Sequence, residues 1–172
     1  ELLKAARPHQ PTLELAHRLD RDTSGCLMLA KSRPALLALH QALQGDEIRK
    51  CYLALMRGAW PGGEQHVTAP LQRDRLQGGE RLSQVTAAGK SAVTIFRPRQ
   101  IWSAGSLIEA EILTGRTHQI RAHAAHIQHP IAGDTKYGDK EFNAQLRRLG
   151  LRRLFLHAHQ IELRHPLTRQ RL

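Results

Sequence analysis

Cysteine and aromatic residues are scarce in this sequence, and each scarcity excludes a class of protein. The two cysteines, Cys26 and Cys51, lie in no CxxC or zinc-finger spacing. Two such thiols argue against a disulfide scaffold or a zinc ribbon, and we expect buried free thiols in a reducing cytosol. Aromatic residues make up only 4% of the chain, so the core must be built from aliphatic side chains.

Long apolar runs are also missing. No stretch approaches the roughly 20 apolar residues that cross a membrane as a helix, and no signal peptide opens the chain. We therefore expect a cytoplasmic protein that does not act in a membrane. The chain has 172 residues, of which 41% are apolar, and this is enough to bury one core.

Acidic residues are outnumbered by basic ones. The chain carries 15 Asp and Glu against 26 Lys and Arg, a formal net charge of +11, and such a surplus attracts polyanions. Arginine supplies most of the basic residues, and its planar guanidinium suits phosphates and bases. The composition therefore favours a nucleic-acid partner. A surplus that only keeps the protein soluble is the alternative.

The pattern of apolar residues predicts an α+β fold, a mixed and mainly antiparallel sheet flanked by helices, because strands and helices follow each other without a βαβ rhythm. Ser32, Pro34 and Gly45 predict the ends of one helix. The strand predicted at 50–57 is apolar on both faces, which favours a central position. The other predicted elements are strands at 13–19, 26–30, 92–97, 107–113 and 154–163, helices at 117–128 and 141–149, and a long loop or loose hairpins at 58–91.

The most specific stretch is HRLDRDTSG at residues 17–25. It resembles the signature of the RluA-type pseudouridine synthases, in which the catalytic aspartate follows His-Arg-Leu. Three later stretches resemble further motifs of this family, in the family's order: KCYLAL at 50–55, TGRTHQIRAH at 114–123 and LFLHA at 154–158. Between the last two, HPIAGD at 129–134 and YGD at 137–139 also fit.

The resemblance implies an enzyme that isomerises uridine to pseudouridine in structured RNA, on the catalytic-domain fold of the pseudouridine synthases. Large-subunit (23S) rRNA is the expected substrate, ahead of tRNA. The reaction changes no redox state and breaks no phosphate bond, so we expect no cofactor and no metal. We expect a monomer without an obligatory protein partner.

Asp20 is the candidate nucleophile. If residues 15–20 are extended, Arg18 and Asp20 project to the same face. A guanidinium beside a carboxylate keeps it ionised, as a nucleophile requires. The polar turn with Gly25 would then leave Asp20 at a rim open to a large substrate. From the residues alone, an ion-paired surface aspartate is the alternative.

Arg121 is the candidate ion-pair partner that orients Asp20. On a helix that starts at Thr117, His118 and Arg121 share one face. Arg116 lies at the entry to this helix, where it could contact phosphate or remain a solvated arginine.

Three further side chains complete the predicted site. By resemblance, Tyr52 stacks on the uracil or passes a proton, and Leu156 packs against the target base. From the residues alone, both would be ordinary core side chains. Arg18 could occupy the space that an extruded base vacates.

Three other interpretations remain open. The eleven histidines include His157 with His159 and His123 with His126, but no complete set of metal ligands at a familiar spacing. A non-catalytic RNA-binding or ribosome-assembly module on the same scaffold would keep the basic surface without the chemistry. A hydrolase that uses Asp20 with a second carboxylate is the third possibility.

The sequence departs from the family at its ends. The resemblance leads us to expect a strand motif with a Lys-Pro pair before the HRLD stretch, and in many members a small S4-type RNA-binding domain. Neither is found in this sequence. We therefore expect residues 1–172 to be a catalytic domain that forms part of a longer protein and is incomplete at both ends.

Overall fold

A six-stranded mixed sheet organises the computed structural model, which describes residues 5–10, 12–45, 47–73, 82–165 and 168–172. The strands are β1 (Glu14–Leu15), β2 (Ser24–Gly25), β3 (Leu29–Ala30), β4 (Arg49–Arg57), β5 (Gln65–Thr68), β6 (Leu71–Arg73), β7 (Ser83–Val85), β8 (Val93–Ile101), β9 (Gly105–Ile112) and β10 (Leu156–Glu162). The helices are α1 (Arg33–Gln44), α2 (Gln119–His126) and α3 (Lys140–Arg148).

The strand order of the large sheet is β2-β10-β4-β9-β8-β5. Every pair is antiparallel except β10 with β2, which is parallel. The predicted mixed, mainly antiparallel sheet with flanking helices is therefore confirmed. β4 lies between β10 and β9, the central position that its two apolar faces predicted.

The main core lies on the face of the sheet that packs against α2. Met56, Phe96 and Ile108 from three strands contact Ile120 and Ala124 of the helix, and all five are buried. Burying a side chain of this size contributes about 1.5–3 kcal/mol to the stability of the fold. The expectation of a mainly aliphatic core holds, with Trp60, Phe96 and Phe142 as the aromatic exceptions among the described buried residues.

The opposite face of the sheet, which we call the outer face, carries a set of ion pairs. Alternation along β9 predicts that Glu109 and Glu111 face outward, away from the main core. They do, but the side chain of Glu109 is only 6% exposed because arginines cover it. Arg49 and Arg97 donate to Glu111 at 3.1 and 2.6 Å, and Arg99 pairs with Glu109.

Helix α1 begins and ends where its boundary signals predicted. The Ser32 hydroxyl accepts from the Ala35 N–H at 3.3 Å, and Gly45 caps the other end. Leu36 and Leu39 pack in a second core cluster with Ala16 and Ala30. The helix therefore supports the chain just before Asp20.

Some predictions about the strands and thiols were wrong in detail. The strands expected at 13–19 and 26–30 shrink to the two residues of β1 and the two residues of β3, which pair with each other. Of the long loop or loose hairpins expected at 58–91, the antiparallel pair of β6 with β7 agrees with the second alternative, whereas β5 joins the large sheet; residues 74–81 lie outside the described part. Cys26 is exposed and only Cys51 is buried, because Cys26 follows the edge strand β2.

In the described residues, no helix has the length and apolarity that a membrane span requires.

Candidate active site

A cavity of about 560 Å³ lies at the end of the sheet where β9 gives way to the loop before α2. It draws its walls from β4, β10, the loop after β1 and the entry to α2. All six residues that the sequence predicted for the site line it: Arg18, Asp20, Tyr52, Arg116, Arg121 and Leu156. Residues from four separate parts of the chain thus meet around one space.

Asp20 is held by a turn rather than by a strand. Residues 16–23 lie outside any strand, so the strand that was predicted to carry Arg18 and Asp20 ends at Leu15. The Thr23 N–H donates to the Asp20 carbonyl at 3.0 Å and closes the turn. Asp20 and Arg18 nevertheless line the same cavity, with Asp20 half-buried and Arg18 exposed.

Gly25 anchors this turn against the sheet. Its φ is +115°, a conformation that side chains disfavour. An added Cβ would collide with the backbone of Ala158 in β10. The Cys26 N–H donates to the Ala158 carbonyl at 2.8 Å. The loop that carries Asp20 is therefore fastened to the strand that carries Leu156.

His17, the first residue of the HRLD stretch, has a structural contact. Its Nε2 accepts from the Met28 N–H at 3.0 Å, so the ring is a neutral acceptor in this position. Burial lowers the pKa of His17, in agreement with that role. The histidine thus fixes the chain three residues before the candidate nucleophile.

Tyr52 faces the cavity from the central strand between two small neighbours. Its cross-strand partners are Ala158 and Ala110, which leave the ring uncovered on the cavity side. Burial, and then the negative charge of Asp20, raise the pKa of Tyr52 to about 12. The phenol is therefore protonated at neutral pH and can stack or donate a hydrogen bond. Leu156, 3% exposed, adds an apolar wall.

Arg121 pairs with a different carboxylate from the one predicted. Its Nε and Nη2 donate to Asp134 at 2.7 and 2.8 Å, a buried bidentate pair. Burial opposes the charged guanidinium, but the hydrogen bond and charge of Asp134, and then the charge of Asp20, raise the pKa of Arg121. The sequence-based pairing of Arg121 with Asp20 is thus replaced by a guanidinium that Asp134 holds within the field of Asp20. Helical spacing could not show this, because Asp134 comes from a later loop.

Asp134, His118 and Tyr137 are site residues that the sequence interpretation did not assign. Burial would raise the pKa of Asp134, but the hydrogen bond from Arg121 and its charge hold that pKa below its ordinary value. His118 adopts a left-handed conformation (φ 52°) and lies 3.1 Å from the Tyr137 hydroxyl. The Tyr137 ring in turn lies 5.1 Å from the Arg121 guanidinium carbon. The GD and YGD stretches, which fit the family, contain Asp134 and Tyr137 and could have indicated these two residues.

The left-handed conformation of His118 also shifts the start of α2 from its predicted position. The helix begins at Gln119 rather than at Thr117, because the positive φ of His118 breaks the helical path. Burial, and then the charge of Arg121, lower the pKa of His118. Arg116 is exposed just before this break, and its Nε donates to the Ser91 carbonyl at 3.1 Å.

One histidine of each pair considered as metal ligands has other contacts. His123 is fully buried, and its two ring nitrogens lie 2.9 Å from the Thr94 hydroxyl and the Ala69 carbonyl. His157 bonds to the Ser24 hydroxyl at 2.9 Å. Within the described ranges, no group of three or more His, Cys, Asp or Glu residues could hold a metal ion.

Comparison with known proteins agrees with this geometry. Residues 1–126 match the model of a family described as RNA pseudouridylate synthase. A curated relative from Haemophilus ducreyi, named ribosomal large subunit pseudouridine synthase C, is 48% identical over 172 residues, covering 100% of this chain and 54% of that protein. The protein of the same name from Escherichia coli is 48% identical over 170 residues, covering 98% and 53%. The chain therefore spans about half the length of these relatives.

Solved structures resemble the fold as well. Human RNA pseudouridylate synthase domain containing 1 superposes with a TM-score of 0.80 at 26% identity, over 94% of this chain and 68% of that one. Human RNA pseudouridylate synthase domain containing 4 gives 0.76 at 26% identity, over 94% and 71%. The resemblance seen in the HRLD stretch and the later motifs is confirmed. The match of the family model to most of the chain means that this protein belongs to the RNA pseudouridylate synthase family.

Proposed function

We propose that this protein isomerises uridine to pseudouridine in structured RNA, with large-subunit rRNA as the substrate. One observation carries the proposal: in the described lining of the cavity, Asp20 is the only carboxylate among several arginines. The names of the bacterial relatives support large-subunit rRNA. Residues 1–172 would act as the catalytic domain.

The walls of the cavity suit each part of a uridine. Tyr52 offers a ring face and a phenol that stays protonated, while Leu156 offers an apolar surface for the uracil. Asp20 would meet the ribose. The guanidinium of Arg121 lies within the field of Asp20, whose charge helps to raise the pKa of Arg121.

The reaction balances without any other reactant. Asp20 attacks the ribose or promotes cleavage, the C1′–N1 bond breaks, and the uracil turns. C5 then bonds to C1′ as the bond between Asp20 and the sugar breaks or, on the elimination route, as the sugar regains the C2′ proton that it lost. The C5 proton leaves and N1 gains a proton, so the product is an isomer of the substrate and Asp20 is regenerated. Direct attack at C1′ and elimination through a glycal both use Asp20 in this place.

The target nucleotide must leave its stack before its sugar can reach Asp20, which costs a few kcal/mol. Arg18 is exposed and lines the cavity beside Asp20. This position supports a role for its guanidinium in filling the space that the base vacates or in holding the displaced strand.

Tritium release tests the chemistry. The full-length protein is incubated with rRNA that carries tritium at uracil C5, and release to solvent is measured for the wild type, Asp20→Asn and Asp22→Asn. We expect Asp20→Asn to abolish release. Asp22 is the matched control, because it is an exposed aspartate two residues away that does not line the cavity.

The outcomes separate the candidate functions. RNA binding without release in the wild type would support a non-catalytic module, and release that survives Asp20→Asn would overturn the role of Asp20. The proposal also includes a monomer that works in the cytoplasm without a cofactor or obligatory protein partner. Light scattering of the purified full-length protein tests the monomer.

A further inference from the structure

A second cavity of about 500 Å³ adjoins the first. The two share Arg73, Gly115, Arg116 and Thr117 in their linings, so these residues form a common wall. Beyond the wall, the second cavity is lined by the β6–β7 hairpin and by the turn that contains Lys90. An added Cβ on Gly115 would meet no atom within 4 Å, so the wall is open at this point.

The charges in the second cavity are all of one sign. Its described lining includes Arg73, Lys90 and Arg116 and contains no Asp or Glu. A concave site lined by three cations attracts an anion.

The two arginines of the wall are held by neutral acceptors. Arg73 donates from Nε and Nη2 to the Thr117 hydroxyl at 3.0 and 2.7 Å. Arg116 donates to the Ser91 carbonyl. These bonds orient the guanidinium groups, and among the described residues no carboxylate pairs with either of them. Arg49 and Arg97 on the outer face, in contrast, bond to a carboxylate.

Lys90 has the side chain that remains available. The residue is exposed, and among the described residues no hydrogen bond or ion pair engages its ammonium group. Its backbone is fixed, because its N–H and C=O each bond to Leu71 at 2.9 Å. The Ser83 hydroxyl donates to the Thr117 carbonyl at 2.6 Å and fastens the hairpin to the wall. The described part of the cavity is therefore preorganised around a cation that no described side chain engages.

We infer that the second cavity binds the nucleotide next to the target uridine on the same RNA strand, with its phosphodiester against Lys90 and Arg73. This inference rests on the proposed function, because an RNA strand whose uridine occupies the first cavity would continue across the common wall into the second cavity. These two cations suit one phosphate, and the open wall at Gly115 gives the backbone a path.

A methylphosphonate scan tests the inference. The probe is a nine-nucleotide oligoadenylate with one central uridine, in which an uncharged methylphosphonate replaces one phosphate at a time. Binding is measured with the full-length Asp20→Asn variant, which cannot turn over, with Lys90→Ala, Lys90→Arg or Lys140→Ala added.

Lys140 is the matched control because it is an exposed lysine far from the cavities. It opens α3, whose Phe142 lies beside Gly105 at the start of β9. The cavities lie near the other end of that strand, about 23 Å away for seven extended residues.

We expect Lys90→Ala to weaken binding of the unmodified probe about three- to tenfold, with Lys90→Arg close to the parent and Lys140→Ala unchanged. One methylphosphonate next to the uridine should weaken binding to the parent and have no further effect in Lys90→Ala. Equal losses in Lys90→Ala and Lys140→Ala, or methylphosphonate effects that do not depend on Lys90, would overturn the inference.

The two proposals can fail separately. Coupling between Lys90 and one phosphate without tritium release from the wild type would contradict the isomerase and leave the phosphate contact standing. Asp20-dependent release without the coupling would contradict the second site alone.

Discussion

The outer face of the sheet and the cavity wall both carry arginines, yet the two sets have different partners. On the outer face, Arg49 and Arg97 bond to Glu111. At the cavity wall, Arg73 and Arg116 bond to a hydroxyl and a carbonyl. Carboxylates cancel the positive charge on the first surface, while neutral oxygens only orient it on the second. Among the described residues, arginines without a carboxylate partner therefore line the wall where an anionic strand would bind.

Arg121 faces the cavity and also has a carboxylate partner. The loss of this partner gives the largest expected effect on the free energy of unfolding. The guanidinium of Arg121 is paired with the buried Asp134. We expect Asp134→Ala to lower the free energy of unfolding by about 3–5 kcal/mol, because it leaves a buried charge without its partner. On the outer face, Arg99→Ala should lower it by only about 0–1 kcal/mol, because Arg99 is mostly exposed and Glu109 keeps Arg49 and Arg97 at 3.9 Å as other partners. Urea unfolding of both variants measures the difference, and equal losses would contradict it.

Arg116 sharpens the comparison at the level of RNA binding. We expect Arg116→Ala to weaken binding of the full-length protein to rRNA about three- to tenfold and to reduce the salt dependence of the affinity by about one phosphate contact. Arg99→Ala is the control, and its affinity should match the wild type. Titrations at several salt concentrations give both quantities. An equal loss of affinity in Arg99→Ala would mean that the net charge of the protein attracts RNA wherever the arginine lies.

Arg18 tests the entrance to the cavity. If its guanidinium holds the displaced strand, Arg18→Ala should slow tritium release from a structured rRNA fragment severalfold more than from a short single-stranded RNA, because only the first requires a base to be extruded. The ratio of the two rates is the measurement. Equal slowing on both substrates would limit Arg18 to general attraction of RNA.

Buried histidines predict a smaller effect of pH on stability. Burial lowers the pKa of His17 and His123, so each titrates lower in the folded chain than the ordinary 6.5 of the unfolded one. Below about pH 6.5 the unfolded chain therefore binds more protons than the folded chain. The free energy of unfolding then decreases as the pH is lowered, by at most about 1.4 kcal/mol per pH unit for each histidine. Urea unfolding between pH 5 and 8 should show this slope. His123→Gln should flatten it, while the exposed His40 offers a control, His40→Gln, that should not.

Local sequence signals predicted the elements whose ends depend on their own residues. Helix α1 follows from a serine cap, a proline in the first turn and a closing glycine, because these act through neighbouring backbone groups. The antiparallel pair β8 and β9 follows from alternation along the chain. The HRLD stretch similarly identified Asp20 without any knowledge of the fold.

Contacts between distant segments could not be predicted in this way. The parallel pairing of β2 with β10 joins residues more than a hundred positions apart, and no periodic pattern encodes it. Helical spacing assigned Arg121 to Asp20, whereas the guanidinium bonds to Asp134, which arrives from the loop after α2. The positive φ of His118 likewise depends on what surrounds it, including Tyr137.

By itself, the sequence determined the residue types of the site, the basic character of the protein and the elements with local boundary signals. Only the tertiary structure decided which arginines bond to a carboxylate and which, such as Arg73 and Arg116, bond to a neutral oxygen. Charge and hydrogen-bonding capacity are properties of single residues, but their compensation depends on distances between segments that the fold alone brings together.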